Sequence, residues 1–491
     1  MIPDIQSGRR AGRWALSGLT MLALAACSTH PEIRATVQPL DAQALGVQAA
    51  AAQDLPDAVT WWTDFHDDTL SGLIQQGLAH NPNLQVAQTR VRRVMAMEAY
   101  TRGADKLQVQ ATGEVDRQRF TEHGLYPAPI AGSTLTTGTL QLEGSWELDL
   151  FGRQRAELEA AVGQRRAAQA DERAAALMLS AQIARTYVQL GRLQGLRSVA
   201  ERSLAQRDDM LKLIRERVHS GLDTTVELRQ GEGALPDTRL QMASYDEQIT
   251  LTRHALAVLT GQAPDALDAL NVQLDQLPEA TPPAQLPLDL LARRPDVQAA
   301  QWRAQAAGHE VDAARAMFYP NVDLRSYAGY NAIGLDQLIK ASSLQWGLMP
   351  AIHLPLFDAD RRVANLQGKV ADQDTAIATY NQAVLQAVQE VADQISSSTA
   401  IARQQHEQQA AQGSAESAYA LARERYQAGL GNYLTVLGAE TAVLNQRRTA
   451  VDLQARALDV HIGLIRAMGG SLNSVQHNMG GAKAAPNGDR S

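Results

Sequence analysis

The sequence predicts a mainly α-helical protein with a membrane β-barrel part, built as two tandem repeats of helix–strand–strand–helix–turn–helix. Three observations lead to this fold class. A phrase typical of a helix end occurs twice, as RERVHSGL from Arg215 and RERYQAGL from Arg423, roughly 208 residues apart. Each phrase closes a long segment without proline. Each of those segments follows two shorter ones in which apolar and polar residues alternate, which is the period of a half-buried strand.

Composition narrows the class of protein. The chain has 491 residues, of which 45% are hydrophobic and only 4% aromatic, and its net charge is -8. Few aromatic residues favour long helices over a β-sandwich, and the negative charge argues against a nucleic-acid partner. After the N-terminus, no stretch approaches the roughly 20 apolar residues of a membrane-spanning helix. If the chain spans a bilayer, it does so by strands.

The N-terminus combines a charged stretch, an apolar run and a single cysteine. Three arginines precede an apolar run from Trp14 to Ala26, which predicts a signal peptide over residues 1–26. The run ends in LAAC, and Cys27 is the only cysteine, so the chain has no intramolecular disulfide. Cys27 is either incidental, beside an Ala-x-Ala cleavage site, or part of a lipobox. The second interpretation makes Cys27 the mature N-terminus, carrying diacylglycerol and an N-acyl chain, with no other cofactor.

The first repeat is predicted to cover residues 61–270, after a lipidated tether over 27–60 that has little periodicity. It begins with a helix led by Pro82, because proline suits the first helical turn. Strands at about 107–118 and 137–150 follow. The outward strand face is expected to carry Leu140, Leu142 and Trp146, or else the alternate set.

A very long helix then runs from about Arg153 to Val218. It would be about 100 Å long at 1.5 Å per residue. Its apolar residues step by three or four, as in a coiled coil; they include Ile183, Tyr187, Leu190, Leu193, Leu196, Leu211 and Ile214. The hairpin tip is predicted at about 218–226. There Gly221 supplies the backbone freedom that helix C-termini commonly use, and the return helix runs from about Thr225 to Thr260.

The second repeat follows the same plan over residues 292–470, after a linker at 271–291. Its strands are predicted at about 320–331 and 343–357, and its tip, with Gly429, at about 426–434. The remaining residues, 471–491, are predicted to form a flexible C-terminal tail. A soluble helical bundle is the simplest alternative to this plan, but it leaves the four alternating strands unexplained. Four strands cannot close a barrel alone, whereas several chains sharing one barrel would leave no exposed edge.

The chain resembles the TolC family of outer membrane factors, in its lipoprotein branch (OprM/NodT-like). The stretches that carry the resemblance are the lipobox, SWELDLFGR at Ser145, ARRPDVQAAQ at Ala292, PLFDADRRVANL at Pro355 and RYQAGLGNYLTVL at Arg425. Their order and spacing cover nearly everything from Cys27 to about Gly470. The resemblance implies a homotrimer with a 12-stranded barrel in the outer membrane of a Gram-negative cell and a helical tunnel across the periplasm. Ser28, rather than aspartate, after the lipidated cysteine fits that membrane.

What the resemblance implies about function is passive export. The partners would be a periplasmic adaptor (membrane fusion) protein, an inner-membrane pump of the RND or major-facilitator class, and outer-membrane lipid. Drugs and other toxic small molecules would be the cargo. The alternative is the outer-membrane duct of a protein-secretion system or a structural coiled-coil spacer.

The resemblance also points to gate residues at the tips. A tyrosine in the second tip closes the periplasmic entrance in the family, and Tyr426 matches it. The family's first-tip carboxylate aligns best with Glu227, and Asp223 is a second acid in the same turn. Ordinary helix capping explains both acids equally well. The residues expected at the tip turns, where an adaptor would dock, are Gly221, Leu222, Gly429 and Leu430. Relatives often carry arginine or aspartate where this chain has Gly431, Thr435 and Gly438.

No catalytic constellation appears in the sequence, so the chain is not expected to be an enzyme. The eleven histidines are scattered, and none forms a His-x-x-x-His pair. With Cys27 committed to lipid, no Cys/His metal site is expected either. Neither a nucleophile-elbow motif nor a phosphate-binding glycine loop is present.

Overall fold

A computed structural model describes residues 33–40, 60–277, 294–354 and 359–470. The predicted signal peptide, Cys27, the predicted C-terminal tail and the end of the predicted fourth strand lie outside these residues. The described chain divides into two compact units. The first comprises residues 33–39, 91–168, 300–354 and 359–380, and the second comprises residue 40, 60–90, 169–277, 294–299 and 381–470.

Among the described residues, both halves of the chain share the order helix, two strands, long helix and return helix, and the first half begins with one additional helix, Asp68–His80, that the repeat plan did not predict. In chain order the elements are α1 (Asp68–His80), α2 (Pro82–Ala104), β1 (Gln108–Arg119), β2 (Thr134–Leu148), α3 (Arg153–His219), α4 (Thr225–Leu259), α5 (Pro295–Ala316), β3 (Asn321–Ile333), β4 (Leu344–His353), α6 (Ala359–Gln427) and α7 (Tyr433–Ala467). Short 3-10 turns lie at Trp61–Phe65, Pro264–Leu267, Leu274–Gln276, Leu335–Gln337 and Ala341–Ser343. The long helices α3 and α6 have 67 and 69 residues, and the return helices α4 and α7 have 35 each.

The first unit contains a four-stranded antiparallel sheet in the order β1-β2-β3-β4. Paired residues share a face, because side chains alternate along a strand. Leu140 lies opposite Gly113 and Tyr330, and Tyr330 lies opposite Leu344. This register gathers one apolar face, which includes Val109, Val115, Leu140, Leu142, Trp146, Leu324, Leu344, Trp346, Leu348 and Ile352. Leu140 and Leu142, two of the residues expected on the outward face, are 47% and 57% exposed there.

The opposite face of the sheet is polar. Glu143 accepts hydrogen bonds from Gln110 at 2.8 Å and from Gln141 at 2.7 Å, and Gln345 donates to Gln141 at 3.0 Å. Glu114, Asp323 and Arg325 fall on this face by the same register. One exposed apolar face and one polar face are typical of a sheet that separates lipid from water.

Part of the predicted tether also belongs to the first unit. Asp374 on α6 accepts hydrogen bonds from the main-chain N–H of Thr36 and Val37, at 2.9 and 2.8 Å, and from the Thr36 hydroxyl at 2.8 Å. Arg315 on α5 donates to the carbonyl of Ile33 at 3.3 Å. This short segment is therefore fixed against the helices α5 and α6.

The second unit has its core where several helices meet. Trp61 packs edge-on against both Trp62 and Phe65, and its indole N–H donates to Ser180 at 3.1 Å. The predicted coiled-coil positions of α3 lie on the buried side: Ile183, Tyr187, Leu190, Leu193, Leu196, Leu211 and Ile214 are each at most 5% exposed. Val272 and Leu274, at the start of the predicted linker, are buried in the same core.

No helix among the described residues is both long enough and apolar enough to cross a membrane.

Candidate gate at the hairpin tips

The two hairpin tips use the same backbone turn. In tip 1, which we define as residues 217–228, Gly221 has φ +71° and the Leu222 N–H bonds back to the Arg217 carbonyl at 2.9 Å. In tip 2, residues 425–436, Gly429 has φ +76° and the Leu430 N–H bonds to the Arg425 carbonyl at 2.8 Å. This is the glycine-terminated helix end that the repeated phrase predicted, and a residue with a Cβ is strained at such φ.

The return helices begin with different caps. Thr224 caps α4, and Glu227 accepts from the Thr224 N–H at 3.0 Å and from its hydroxyl, so the two residues form a reciprocal capping box. The hydrogen bond from the Thr224 hydroxyl is the main cause that holds the pKa of Glu227 below its usual range. Asn432 caps α7 by accepting from the Thr435 N–H at 3.0 Å. Glu227 is thus engaged within its own turn, as the capping interpretation expected.

Tyr426 in tip 2 reaches across to tip 1. Its side chain is fully buried, and its phenol donates a hydrogen bond to Asp223. Asp223 also accepts from Arg217, whose Nε lies 2.9 Å and whose Nη2 lies 3.3 Å from the two carboxylate oxygens. Of the two acids predicted for this role, Asp223 is therefore the one in contact with Tyr426. The contact joins the two hairpins of one chain.

Arg217 holds both ends of this contact. Besides binding Asp223, its guanidinium donates from Nη1 to the Tyr426 carbonyl at 3.0 Å. Its Cζ lies 4.5 Å from the centre of the Tyr426 ring, within the range of a cation–π interaction. The side chains of Arg217 and Asp223 are only 11% and 10% exposed. We call the three residues, Arg217, Asp223 and Tyr426, the tip lock.

The tip lock shifts the ionisation of its own members. Burial opposes ionisation of Asp223, but the hydrogen bonds from Arg217 and Tyr426 and the guanidinium charge outweigh it, so the pKa of Asp223 lies below its usual range. Burial, the hydrogen bond to Asp223 and the charge of Asp223 together raise the pKa of Tyr426 well above its ordinary value. The lock is thus a carboxylate held by a neutral phenol and a guanidinium at neutral pH.

Apolar packing lies directly behind the tip lock, while the outer residues of the tips are exposed. Tyr426, Tyr433, Val436, Met210 and Ile214 form one buried cluster. By contrast, Leu222, Leu430 and Leu434 are 65%, 71% and 58% exposed. Leu222 and Leu430, the two leucines expected to meet an adaptor, are therefore available for contact in this chain.

The sequence matches the outer membrane efflux protein family over residues 73–262 and 286–470, one segment in each half of the chain. The chain belongs to this family. It is 30% identical over 468 residues to the multidrug resistance outer membrane protein MdtQ of Escherichia coli O157:H7, covering 92% of this chain and 96% of that protein. It is 34% identical over 375 residues to the fusaric acid resistance protein FusA of Burkholderia cepacia, covering 74% and 70%.

Solved structures of outer membrane channels share the fold. The outer membrane protein VceC of Vibrio cholerae superposes with a TM-score of 0.80 at 32% identity, covering 84% of this chain and 99% of that one. The outer-membrane channel OprN superposes with a TM-score of 0.79 at 27% identity, covering 90% and 98%. These matches confirm the predicted family and the predicted fold class.

Arg217 is the residue of this efflux protein's tips that sequence reasoning missed. Relatives often carry arginine or aspartate two residues after the glycine of tip 2, where this chain has Gly431. The structure supplies the arginine from tip 1, six residues before Asp223, within the repeated Arg-Glu-Arg phrase. No group of three or more His, Cys, Asp or Glu side chains that could hold a metal ion occurs in the described part of the chain.

Proposed function

We propose that this chain is the outer-membrane channel of a three-part export system that carries drugs and other toxic small molecules out of the cell. A periplasmic adaptor and an inner-membrane pump, of the RND or major-facilitator class, would deliver the cargo, and the channel would conduct it passively. The names of the relatives, which concern multidrug and fusaric acid resistance, support this cargo class. The observation that carries the proposal is the tip lock, because a bonded contact between the tips of two long hairpins would serve as the closable entrance that a conduit needs.

The membrane part of the proposal is a shared barrel. The described sheet ends in two edge strands, β1 and β4, and has an exposed apolar face. Strand edges need partners inside lipid, where no water satisfies the main chain. Three chains would pair β4 of each with β1 of the next and close 12 strands, with the apolar face toward lipid. Native mass measurement in detergent is expected to give a trimer, and a stable monomer would contradict the shared barrel.

Lipidation of Cys27 completes the proposed attachment to the membrane. The support is the LAAC sequence after a charged and apolar leader. Mass spectrometry of the mature protein is expected to show an acylated N-terminus at Cys27. A mature chain that begins elsewhere without acyl mass would refute it.

The gate would work through the tip lock. A hydrogen bond to a charged group contributes about 1.5–3 kcal/mol net, and a trimer would repeat the bond three times. This is enough to keep the tips together against thermal opening. An adaptor that binds the separated tips more tightly would then shift the population toward the open state.

Conductance in planar bilayers tests the gate. Tyr426→Phe and Asp223→Asn should each raise the single-channel conductance of the purified protein, because each removes one side of the same hydrogen bond. The double variant should add little beyond the larger single effect, since the two residues act as a pair.

Glu227→Gln is the matched control for that experiment. It changes a carboxylate four residues from Asp223 whose contacts lie in its own capping box. Conductance should stay near the wild-type value. If Glu227→Gln opens the channel while Tyr426→Phe does not, the gate proposed here is wrong.

A further inference from the structure

The sheet contains one junction between the two repeats and leaves two edges open. Inside the chain, β2 of the first repeat pairs with β3 of the second, and we call this pairing the internal junction. The open edges are β1, the first strand of the first repeat, and β4, the second strand of the second repeat. In the proposed trimer, β4 would therefore meet β1 of the next chain as β2 meets β3 within one chain. We call that pairing the subunit junction.

Sequence matches between the repeats relate β1 to β3. The helices α2 and α5 both begin at a proline, and β1 and β3 begin at the same distance from that proline. Counted from the prolines, Val115 and Arg117 of β1 match Ala328 and Tyr330 of β3. The residues of β1 are therefore expected to take, at the subunit junction, the places that their matches take at the internal junction.

A second match relates β2 to β4. Both strands lead into the pattern Leu-x-Leu-Phe, which ends at Phe151 in the first repeat and at Phe357 in the second. Counted back from these phenylalanines, Leu142 of β2 matches Leu348 of β4. Both leucines belong to the apolar face of the sheet, so the match keeps the two faces of the strands in step.

The internal junction then predicts which residues meet at the subunit junction. Leu142 lies opposite Ala328, and the matches of these two residues are Leu348 and Val115. We propose that the subunit junction repeats this register, with Leu348 opposite Val115 of the next chain, and that an arginine and a tryptophan of neighbouring chains form a cation–π pair in it. This inference rests on the proposed shared barrel and adds which residues of the two chains meet.

The register fits the lengths of the two open edges. It places all ten residues of β4 opposite residues of β1, from Leu344 opposite Arg119 to His353 opposite Gln110. Arg119 is the last residue of β1 and Leu344 is the first of β4, so the two edges end together beside their loops. The apolar face also continues across the junction, because matched strands have their apolar residues at matched positions.

The arginine and the tryptophan of the pair are Arg117 and Trp346. Their matches, Tyr330 and Leu140, lie opposite each other at the internal junction. Trp346 is 77% exposed, and Arg117 is exposed and has no hydrogen bond or ion pair to any residue that the structure describes. Each lies two residues from the end of its strand that adjoins a loop. Both side chains are thus available to a neighbouring chain at the same rim of the sheet.

The chemistry of the two side chains suits this place. Residues directly opposite in antiparallel strands have Cβ atoms about 4.5–5.5 Å apart, so the guanidinium reaches the indole within the roughly 6 Å of a cation–π interaction. Arginine and tryptophan both keep a polar end in water while their apolar parts are covered, and aromatic residues line the rims of membrane sheets. The pair is incomplete in one chain and is completed by the next.

The competing registers are those displaced by two residues. A displacement by two keeps every side chain on its own face. The β1–β2 and β3–β4 hairpins differ from each other by two residues when matched positions are compared. In the competing registers, Leu348 lies opposite Gly113 or opposite Arg117 of the next chain rather than opposite Val115.

Disulfide formation distinguishes the three registers. Leu348→Cys is combined in turn with Val115→Cys, Gly113→Cys and Arg117→Cys, and the full-length protein is oxidised in detergent. Covalent dimers and trimers should form at least tenfold more with Val115→Cys than with the other two, because diagonal neighbours are about 7–8 Å apart and out of disulfide range. Within one chain, β1 and β4 are three strand spacings, about 14 Å, apart, so each bond reports a neighbouring chain.

The single variants Leu348→Cys and Val115→Cys are the controls for Cys27, the one native cysteine, and neither should form the covalent species. More product with Gly113→Cys or Arg117→Cys than with Val115→Cys would refute the register. A trimer by native mass measurement that gives no covalent product in any combination would refute it as well. A stable monomer, by contrast, would refute the shared barrel itself.

The cation–π pair has its own test. Arg117→Gln and Trp346→Leu should each speed the dissociation of the trimer in dodecyl sulfate at least about threefold, and Arg117→Gln should have no further effect in the Trp346→Leu background. Arg119→Gln is the matched control, because Arg119 lies two residues away and pairs with Glu122 of its own chain at 3.8 Å. Additive effects of the first two substitutions, or a larger effect of Arg119→Gln, would overturn the pair.

Discussion

The two tips of this efflux protein have one backbone and two different sets of side chains. Both end a long helix with a glycine at positive φ, and both start the return helix after a polar cap. The side chains differ at the matching places. Tip 1 has Asp223 where tip 2 has Gly431, and tip 2 has Tyr426 where tip 1 has Val218. The glycine and the polar cap are therefore the residues that form the turn. The tip lock is made by other residues, whose identity the turn does not determine.

The paired arginines give the largest expected difference between the tips. Arg217→Met removes the partner of a largely buried carboxylate and should cost the closed state about 3 kcal/mol, a change of roughly a hundredfold in its population. Arg425→Met removes a 3.4 Å bond from an exposed side chain to the Leu430 carbonyl and should cost less than about 0.5 kcal/mol.

Open-state occupancy in planar bilayers measures this comparison. Arg217→Met should give mostly open channels, and Arg425→Met should resemble the wild type. Similar effects of the two substitutions would mean that Arg217 and Arg425 stabilise the closed state equally.

Lowering the pH should weaken the tip lock only through Asp223 in tip 1. Because the pKa of Asp223 in the closed tip lies below its ordinary 3.8, the lock contributes fully above about pH 4 and is lost as pH falls through the lowered value. The raised pKa of Tyr426 affects the tip lock only at alkaline pH. The phenol contributes fully below about pH 10 and keeps its proton somewhat beyond it.

Conductance recorded from about pH 7 down to about pH 3 checks this. Opening should begin only below about pH 4, and Asp223→Asn should be open throughout with no such step. A step that persists in Asp223→Asn would assign it to another group.

The two helix caps should differ less in the stability they contribute than the two arginines do. Thr224→Ala and Asn432→Ala should each destabilise the start of their helix by about 1 kcal/mol. Tip 1 should lose somewhat more, because Glu227 also binds the Thr224 main chain. Hydrogen exchange of the first turn of α4 and of α7 compares the two, and a larger loss at α7 would contradict the capping box.

The tip glycines should show no difference. Gly221→Ala and Gly429→Ala each place a Cβ at positive φ, which costs about 1–2 kcal/mol, and no neighbour lies closer than 4.0 Å to either added atom. Exchange at residues 219–222 and 427–430 should rise equally. Unequal effects would show that the turns, and not only their side chains, have diverged.

Much of the fold was readable from patterns of residues. Alternation predicted strands at about 107–118 and 137–150, and β1 and β2 cover Gln108–Arg119 and Thr134–Leu148. The three-and-four spacing of apolar residues along α3 predicted its buried side, because that spacing is the period of the helix. These features depend on local geometry that repeats along the chain.

The tip lock was harder to predict, because it depends on which residues meet across two hairpins. Alignment with the family favoured Glu227 as the first-tip carboxylate, yet Thr224 and Glu227 stand three apart, the spacing of a capping box. In that capping box Glu227 accepts hydrogen bonds from Thr224, whereas Asp223 accepts the hydrogen bond from Tyr426. The role of Arg217 had no comparable signal, since the same Arg-Glu-Arg phrase occurs in tip 2, where Arg425 is exposed.

Because its two tips differ, a chain with two repeats encodes the donor and the acceptor of one hydrogen bond at separate positions. In a ring of identical hairpins, every substitution at the entrance appears at all places at once, so an acid would face only other acids. Here one copy carries the acid and the other the phenol, so a donor and an acceptor for the same bond are encoded by separate stretches of one gene. In the proposed trimeric channel, the acid would therefore lie at every second hairpin of the entrance.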